Sequence, residues 1–154
     1  MMTYEVELVE LQAQPVAVVR GHVTQGEIPA FLGGTFGEVL EALADQGLAA
    51  VGPPFGRYVP AADGFDVEAG FPTNRPVRPF GRVEACELPG GRAARVLHRG
   101  DYGGVAAAYN AAVEWVAAHG YVAAEPPWEC YLDGPEVPEP RTVVYLPCTV
   151  VTSD

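Results

Sequence analysis

The chain nearly repeats itself. Gly47-Leu-Ala-Ala-Val-Gly-Pro-Pro-Phe-Gly-Arg-Tyr-Val59 returns, without a gap, as Gly120-Tyr-Val-Ala-Ala-Glu-Pro-Pro-Trp-Glu-Cys-Tyr-Leu132. A duplicated unit must fold as two similar halves, and two copies in one chain predict a pseudo-two-fold with a ligand groove where the halves meet. With 154 residues the two share one domain, 1–154, as half-repeats over about 1–74 and 80–154. Inside the repeat, Gly56 of the first copy is replaced by Glu129 of the second.

Periodicity fills in the halves. Residues 4–11 and 15–23 read as strands joined by a turn at Gln12 to Gln14, the second having an apolar run that suits a covered position. Phe36, Val39, Leu40 and Leu43 then fall at helical spacing, with Thr35 and Glu38 placed as a capping box, a start near Pro29 and a stop at Gly47. Phe55 to Pro60 and Phe65 to Thr73 form a hairpin about Ala61-Ala-Asp-Gly64. After the aperiodic, Pro-containing stretch 74–80, the pattern restarts: Arg82 to Leu88 and Arg92 to His98 flank Pro89-Gly90-Gly91 as a second hairpin. Val105, Tyr109, Ala112, Val113 and Val116 make the stripe of a second helix, with Asp101 near its start and Gly120 past its end. Trp128 to Leu132 and Thr142 to Val151 pair across the acidic, Pro-rich loop 133–140. The expected fold is α+β, two ββαββ halves with antiparallel sheets.

Composition removes several function classes. Nine basic residues against twenty acidic ones give a net charge of −11, which repels nucleic-acid phosphates and anionic lipid heads and favours cations. All nine bases are Arg, so Schiff-base chemistry and the lysine of a phosphate-binding loop are excluded. Cys86, Cys130 and Cys148 are odd in number and widely spaced, which gives neither a disulfide framework nor a Cys-x-x-Cys site. His22, His98 and His119 lack metal-ligand spacing, and no metal or cofactor is expected. Acidic residues occupy the N-terminus where a signal peptide needs bases, and no apolar run spans a membrane, so a cytoplasmic location is expected.

Strand alternation selects the candidate site. Trp128, Cys130 and Leu132 share one face of their strand, Glu129 and Tyr131 the other. The first set is the more apolar and is expected beneath the second helix, which turns Glu129 and Tyr131, and by the repeat Gly56 and Tyr58, toward an open surface. Gly56 then leaves room opposite Glu129 for a flat aromatic body. Taken singly these are ordinary strand residues, a solvated Glu and half-buried Tyr. Taken together they place a carboxylate among aromatic faces, which favours lipophilic cations by roughly 0.5–2 kcal/mol per cation–π contact. Asp66 and Glu68 share a strand face without being marked as an acid–base pair.

Four segments in order, Phe65-Asp-Val-Glu-Ala-Gly-Phe-Pro72, Leu88-Pro-Gly-Gly-Arg-Ala93, His98-Arg-Gly-Asp-Tyr102 and Trp128-Glu-Cys-Tyr-Leu132, resemble the GyrI-like small-molecule-binding domain across almost the whole chain. That superfamily includes the effector-binding domains of AraC-type and MerR-type multidrug regulators. The resemblance implies an aromatic pocket between the halves with the strand-borne glutamate, here Glu129, contacting cationic hydrophobic ligands. The regulators carry a DNA-binding segment ahead of the pocket, whereas this acidic chain opens on its first strand and looks like a stand-alone domain. Direct nucleic-acid binding is therefore not expected.

The leading expectation is a multidrug-type binding protein, with Glu129 as charge partner and Tyr131, Tyr58, Phe55, Trp128 and Tyr145 as aromatic walls or supports. An alternative, implied by stand-alone relatives that hydrolyse strained cyclopropanoid genotoxins, makes Glu129 a general base for water and Tyr131 or Tyr58 the donor to the developing oxyanion. A third reading is a gyrase-inhibitor-like module whose acidic surface binds a protein partner.

Overall fold

The structure is a computed structural model that describes residues 4–134 and 136–151; Met1 to Thr3 of the N-terminal reading, Pro135 of the acidic loop and Thr152 to Asp154 lie outside the described residues. In chain order the elements are β1 (Val6–Leu11), β2 (Gln14–Val23), α1 (Ile28–Gln46), β3 (Phe55–Ala61), β4 (Gly64–Pro72), β5 (Glu84–Leu88), β6 (Gly91–Arg99), α2 (Val105–Ala118), β7 (Tyr121–Ala123), β8 (Trp128–Tyr131) and β9 (Arg141–Val150). Among the described residues this is a mixed α+β fold with antiparallel pairing and two α-helices. It divides into two compact units, residues 13–89 and residues 1–12 with 90–154.

Within residues 13–89 the strand order is β3-β4-β2-β5, every pair antiparallel. The β3–β4 hairpin forms about the expected turn. Its register pairs Phe55 with Gly70, Gly56 with Ala69 and Tyr58 with Val67. Helix α1 has Pro29 in its first turn, where a missing N–H removes no helical bond. It stops at Gly47, whose φ of 66° is open to glycine at little cost and lets the Leu48 N–H reach the Leu43 carbonyl at 2.9 Å. The capping box is not at Thr35 and Glu38. It forms at Thr24 and Glu27, where the Thr24 N–H donates to Glu27 Oε1 at 2.8 Å ahead of α1. Thr35 lies inside the helix, fully buried, and Gly33-Gly34 do not interrupt it. Val39, Ala42 and Leu43 of α1 cover Ala17 and Val19 of β2 and Phe71 of β4, and Val77 and Val83 join the same core. Each large apolar side chain so buried contributes roughly 1.5–3 kcal/mol.

The other unit has the order β1-β6-β9-β8, with short β7, not anticipated from the sequence, also on β9. Here α2 seats Val105, Ala108, Ala112 and Val116 over Ala94 and Val96 of β6 and Val144, Leu146 and Cys148 of β9. The apolar stripe is therefore turned from the expected one: Tyr109 and Val113 are exposed, as is Leu40 of α1. Small alanines at 108 and 112 let the helix backbone come close to the sheet, and the larger neighbours are left outside.

Neither of the leading hairpins forms. β1 does not pair β2, and β5 does not pair β6; instead β1 pairs β6 from Val6 opposite Val96 to Leu11 opposite Gly91, and β2 lies between β4 and β5. The ββαββ halves of the sequence reading are thus not self-contained stretches of chain. Each βαββ run, β2-α1-β3-β4 or β6-α2-β8-β9, takes its extra strand from the far side of a crossing. Gln12-Ala13 supplies no residue suited to the positive φ of a two-residue hairpin turn, so the β1–β2 hairpin had no turn to hold it.

Candidate functional site

Directly paired residues of an antiparallel sheet point to the same face. Val144 and Val96 lie beneath α2, and Glu129 pairs with Val144, so Glu129 is on the helix-bearing face. Tyr131, two residues on, shares that face and pairs with Thr142, which in turn pairs with His98. Two rows result: Val96, Val144, Glu129 and, next to it, His98, Thr142, Tyr131. This reverses the expectation that Trp128 and Cys130 sit under the helix. Trp128 pairs with Tyr145 and Cys130 with Val143 on the opposite face. Alternation had correctly grouped the residues and had assigned the groups to the wrong faces, because both are largely buried and apolarity could not say which one the helix covers.

Helix α2 packs on β6, β9 and β7, and β8 is one strand beyond β9. Glu129 is half-buried, and Tyr131 donates its O–H to Glu129 Oε1 at 2.7 Å. Burial raises the Glu129 carboxyl above the ordinary carboxylate range, opposed by the Tyr131 hydrogen bond and by His98. His98 is buried with both ring nitrogens engaged, Nδ1 with the Tyr4 hydroxyl at 2.8 Å and Nε2 with the Asp101 carbonyl oxygen at 2.8 Å. A carbonyl accepts only, so Nε2 carries hydrogen and donates to Asp101, while Nδ1 is paired with the Tyr4 hydroxyl. The sequence does not mark His98, Tyr4 and Thr142 as a group, since their meeting depends on the β1–β6 and β8–β9 pairings.

A raised carboxyl makes a testable statement about stability. The folded form disfavours the Glu129 anion, so the stability present below the ordinary glutamate pKa is lost as pH rises through the raised one. Glu129→Gln lacks this loss. Its melting temperature should gain on that of the wild type between about pH 4 and about pH 8, and thermal unfolding at the two values measures it; parallel curves would show that the carboxyl is not desolvated.

The other aromatic candidates are dispersed. On the face opposite α2, Trp128 stacks on Tyr145 with ring centroids 5.6 Å apart, and Arg95 engages Tyr145 and donates to Glu7 at 2.8 Å. Cys130 is on the same face, and burial pushes its thiol up to about 12, which leaves it protonated and un-nucleophilic at neutral pH. In residues 13–89, Phe55 is wholly buried and pairs with Gly70, on the face away from α1. Tyr58 is on the α1-bearing face and meets Phe65 edge-on at 6.5 Å. Gly56 is buried on that face too, opposite Ala69. Asp66 and Glu68 are each matched to a base across β2 and β4, His22 at 3.0 Å and Arg20 at 2.8 Å. No group of three metal-ligating side chains occurs among the described residues. No helix among them is long and apolar enough to cross a membrane.

A part-buried carboxylate held by a phenol, beside a helix on an antiparallel α+β framework, has the makings of a small-molecule site. The chain belongs to the GyrI-like family: the GyrI-like small molecule binding domain matches residues 4–148. Among solved structures, it is similar to the EcmrR C-terminal domain, with 25% identity and a TM-score of 0.81 over 97% of this chain and 100% of that one. It is also similar to EcmrR in a complex with DNA, with 23% identity and a TM-score of 0.83; it covers 98% of its own length but spans only 59% of that protein. SAV2435 bound to tetraphenylphosphonium shares the fold at 17% identity, with a TM-score of 0.65 over 96% of this chain and 94% of that one. A hydrolase from Listeria innocua does so at 12% identity, with a TM-score of 0.68 over 94% and 92%. No curated protein matches the chain.

Proposed function

We propose that this GyrI-like domain binds lipophilic, preferably cationic small molecules, with Glu129 as the charge partner and Tyr131 as the phenol that orients it. The observation that carries this reading is the state of Glu129: half-buried, its carboxyl raised by burial, and held by a short hydrogen bond of 2.7 Å from Tyr131. A carboxylate so placed lacks the solvation an exposed one has, and a ligand cation restores it, more strongly than in water because the local dielectric is low. The tetraphenylphosphonium bound by SAV2435, a protein of the same fold, gives a natural first ligand to try. Trp128 and Tyr145, stacked on the other face of the same strands, act as supports.

Calorimetric titration of tetraphenylphosphonium into wild type and Glu129→Gln tests the proposal. Glutamine keeps the shape and the acceptor for Tyr131 but removes the charge, and a loss of about tenfold or more in affinity is expected. Equal affinities would overturn it.

A second reading shares the same pair. A carboxyl raised by burial is suited to general-base work near neutral pH, and a phenol 2.7 Å away donates a hydrogen bond, so the geometry also supports hydrolysis of a strained electrophile. Mass spectrometry of a cyclopropanoid incubated with the protein would then show the gain of one water, abolished in Glu129→Gln. Unchanged substrate leaves binding as the function.

A further inference from the structure

Thr142 is completely buried, and its hydroxyl has no hydrogen-bond partner among the described residues. It sits in the row between His98 and Tyr131, and Glu129 lies one same-face step along β8 from Tyr131. Two of its neighbours on that face are already engaged elsewhere: both His98 nitrogens have partners, and the Tyr131 O–H donates to Glu129. Leaving a hydroxyl buried and unmatched is unfavourable, and native interiors rarely tolerate it without a reason. Diagonal neighbours on a sheet face are about 7–8 Å apart at the backbone, a gap that one nitrogen with two hydrogens spans between two oxygens.

We infer that Thr142 Oγ1 and the Glu129 carboxylate form a polar subsite for a ligand N–H cation, so that the physiological ligands are protonated amines or amidinium-like groups on an apolar body rather than permanently alkylated cations. The inference rests on the cation-binding reading above and narrows its ligand class. Charge alone does not explain Thr142, which carries none; a donor does. An ionised carboxylate accepts several hydrogen bonds and Tyr131 supplies one, so acceptor capacity remains at Glu129 and is matched by a second acceptor at Thr142. An onium centre such as a trimethylammonium brings charge without a donor and leaves Thr142 unmatched. An ammonium is also the more strongly hydrated of the two and loses more on entering a partly dry site, so only a site with acceptors in place prefers it.

Two fluorescent probes with one aromatic body and one charge isolate the effect: 2-naphthylmethylammonium and its N,N,N-trimethyl derivative. For the wild type the ammonium should bind about tenfold more tightly, the difference made by hydrogen bonds to a charged group. Thr142→Val keeps the shape, deletes the hydroxyl and should melt no lower than the wild type, because it removes an unmatched buried polar group. In that variant the preference for the ammonium should fall to about threefold or less, with affinity for the trimethyl probe unchanged. Equal binding of the two probes by the wild type, or an undiminished preference in Thr142→Val, overturns the subsite while leaving cation binding intact, provided the trimethyl probe still loses affinity in Glu129→Gln. If neither probe depends on Glu129, the cation-binding reading fails and the subsite with it.

Discussion

Gly70→Ala should unfold the protein or lower its stability by about 3 kcal/mol or more, a loss in the range reserved for severe steric conflict. Gly70 lies in β4 between Val18 of β2 and Phe55 of β3. A methyl group there would run into the Ala17 carbonyl oxygen and would stand 2.8 Å from the Ala17 carbonyl carbon. Those atoms are backbone in the buried stretch Val16 to Val19 of β2, so they have no rotamer to change. The requirement is one of space, since the neighbouring strand occupies the volume a Cβ would need. Urea unfolding followed by circular dichroism gives the difference directly; a shift below about 1 kcal/mol would show that the strands can part at this point.

The second large effect is expected at the residue opposite. Phe55→Ala should cost about 3–5 kcal/mol, the range for removing a fully buried aromatic ring. Phe55 is among the largest fully buried side chains, at 1% exposure, and covers the face of Gly70, which offers no side chain of its own. Thermal unfolding of the variant measures the loss. Because Phe55 and Gly70 are direct cross-strand partners, the double variant should be less destabilised than the sum of the two. A mild phenotype for Phe55→Ala would instead show that the ring contributes little to this core.

These two positions show how the sequence was legible in one sense and not in another. Phe55 and Trp128 stood out through the repeat, and their equivalence holds to the extent that each opens a strand, β3 and β8, and is buried. Their reading as ligand contacts came from aromatic character alone, which burial in a core satisfies just as well. Glu129 and Tyr131 were correctly placed on a common strand face, and the structure adds the hydrogen bond that couples them. Thr142 and His98 could not be found in advance. Thr142 reads as an ordinary strand residue and His98 as a lone histidine, and each acquires meaning from a register between strands far apart in sequence.

What the sequence by itself determined are the features set within a few residues of chain. The two helices, the stop at Gly47, the β3–β4 hairpin and the sharing of a face by Glu129 and Tyr131 follow from periodicity, from glycine's access to positive φ and from the two-residue repeat of a strand. Only the tertiary structure decided which strands pair across the Gln12 and Pro89 connections, which side of the sheet α2 covers, and which residues stand beside the carboxylate. The reason is that alternation fixes relative orientation but not the identity of the covering layer. When both faces of a sheet are apolar enough to bury, the choice belongs to packing between segments remote in the chain, where small residues such as Ala108 and Ala112 admit the helix and larger ones hold it off.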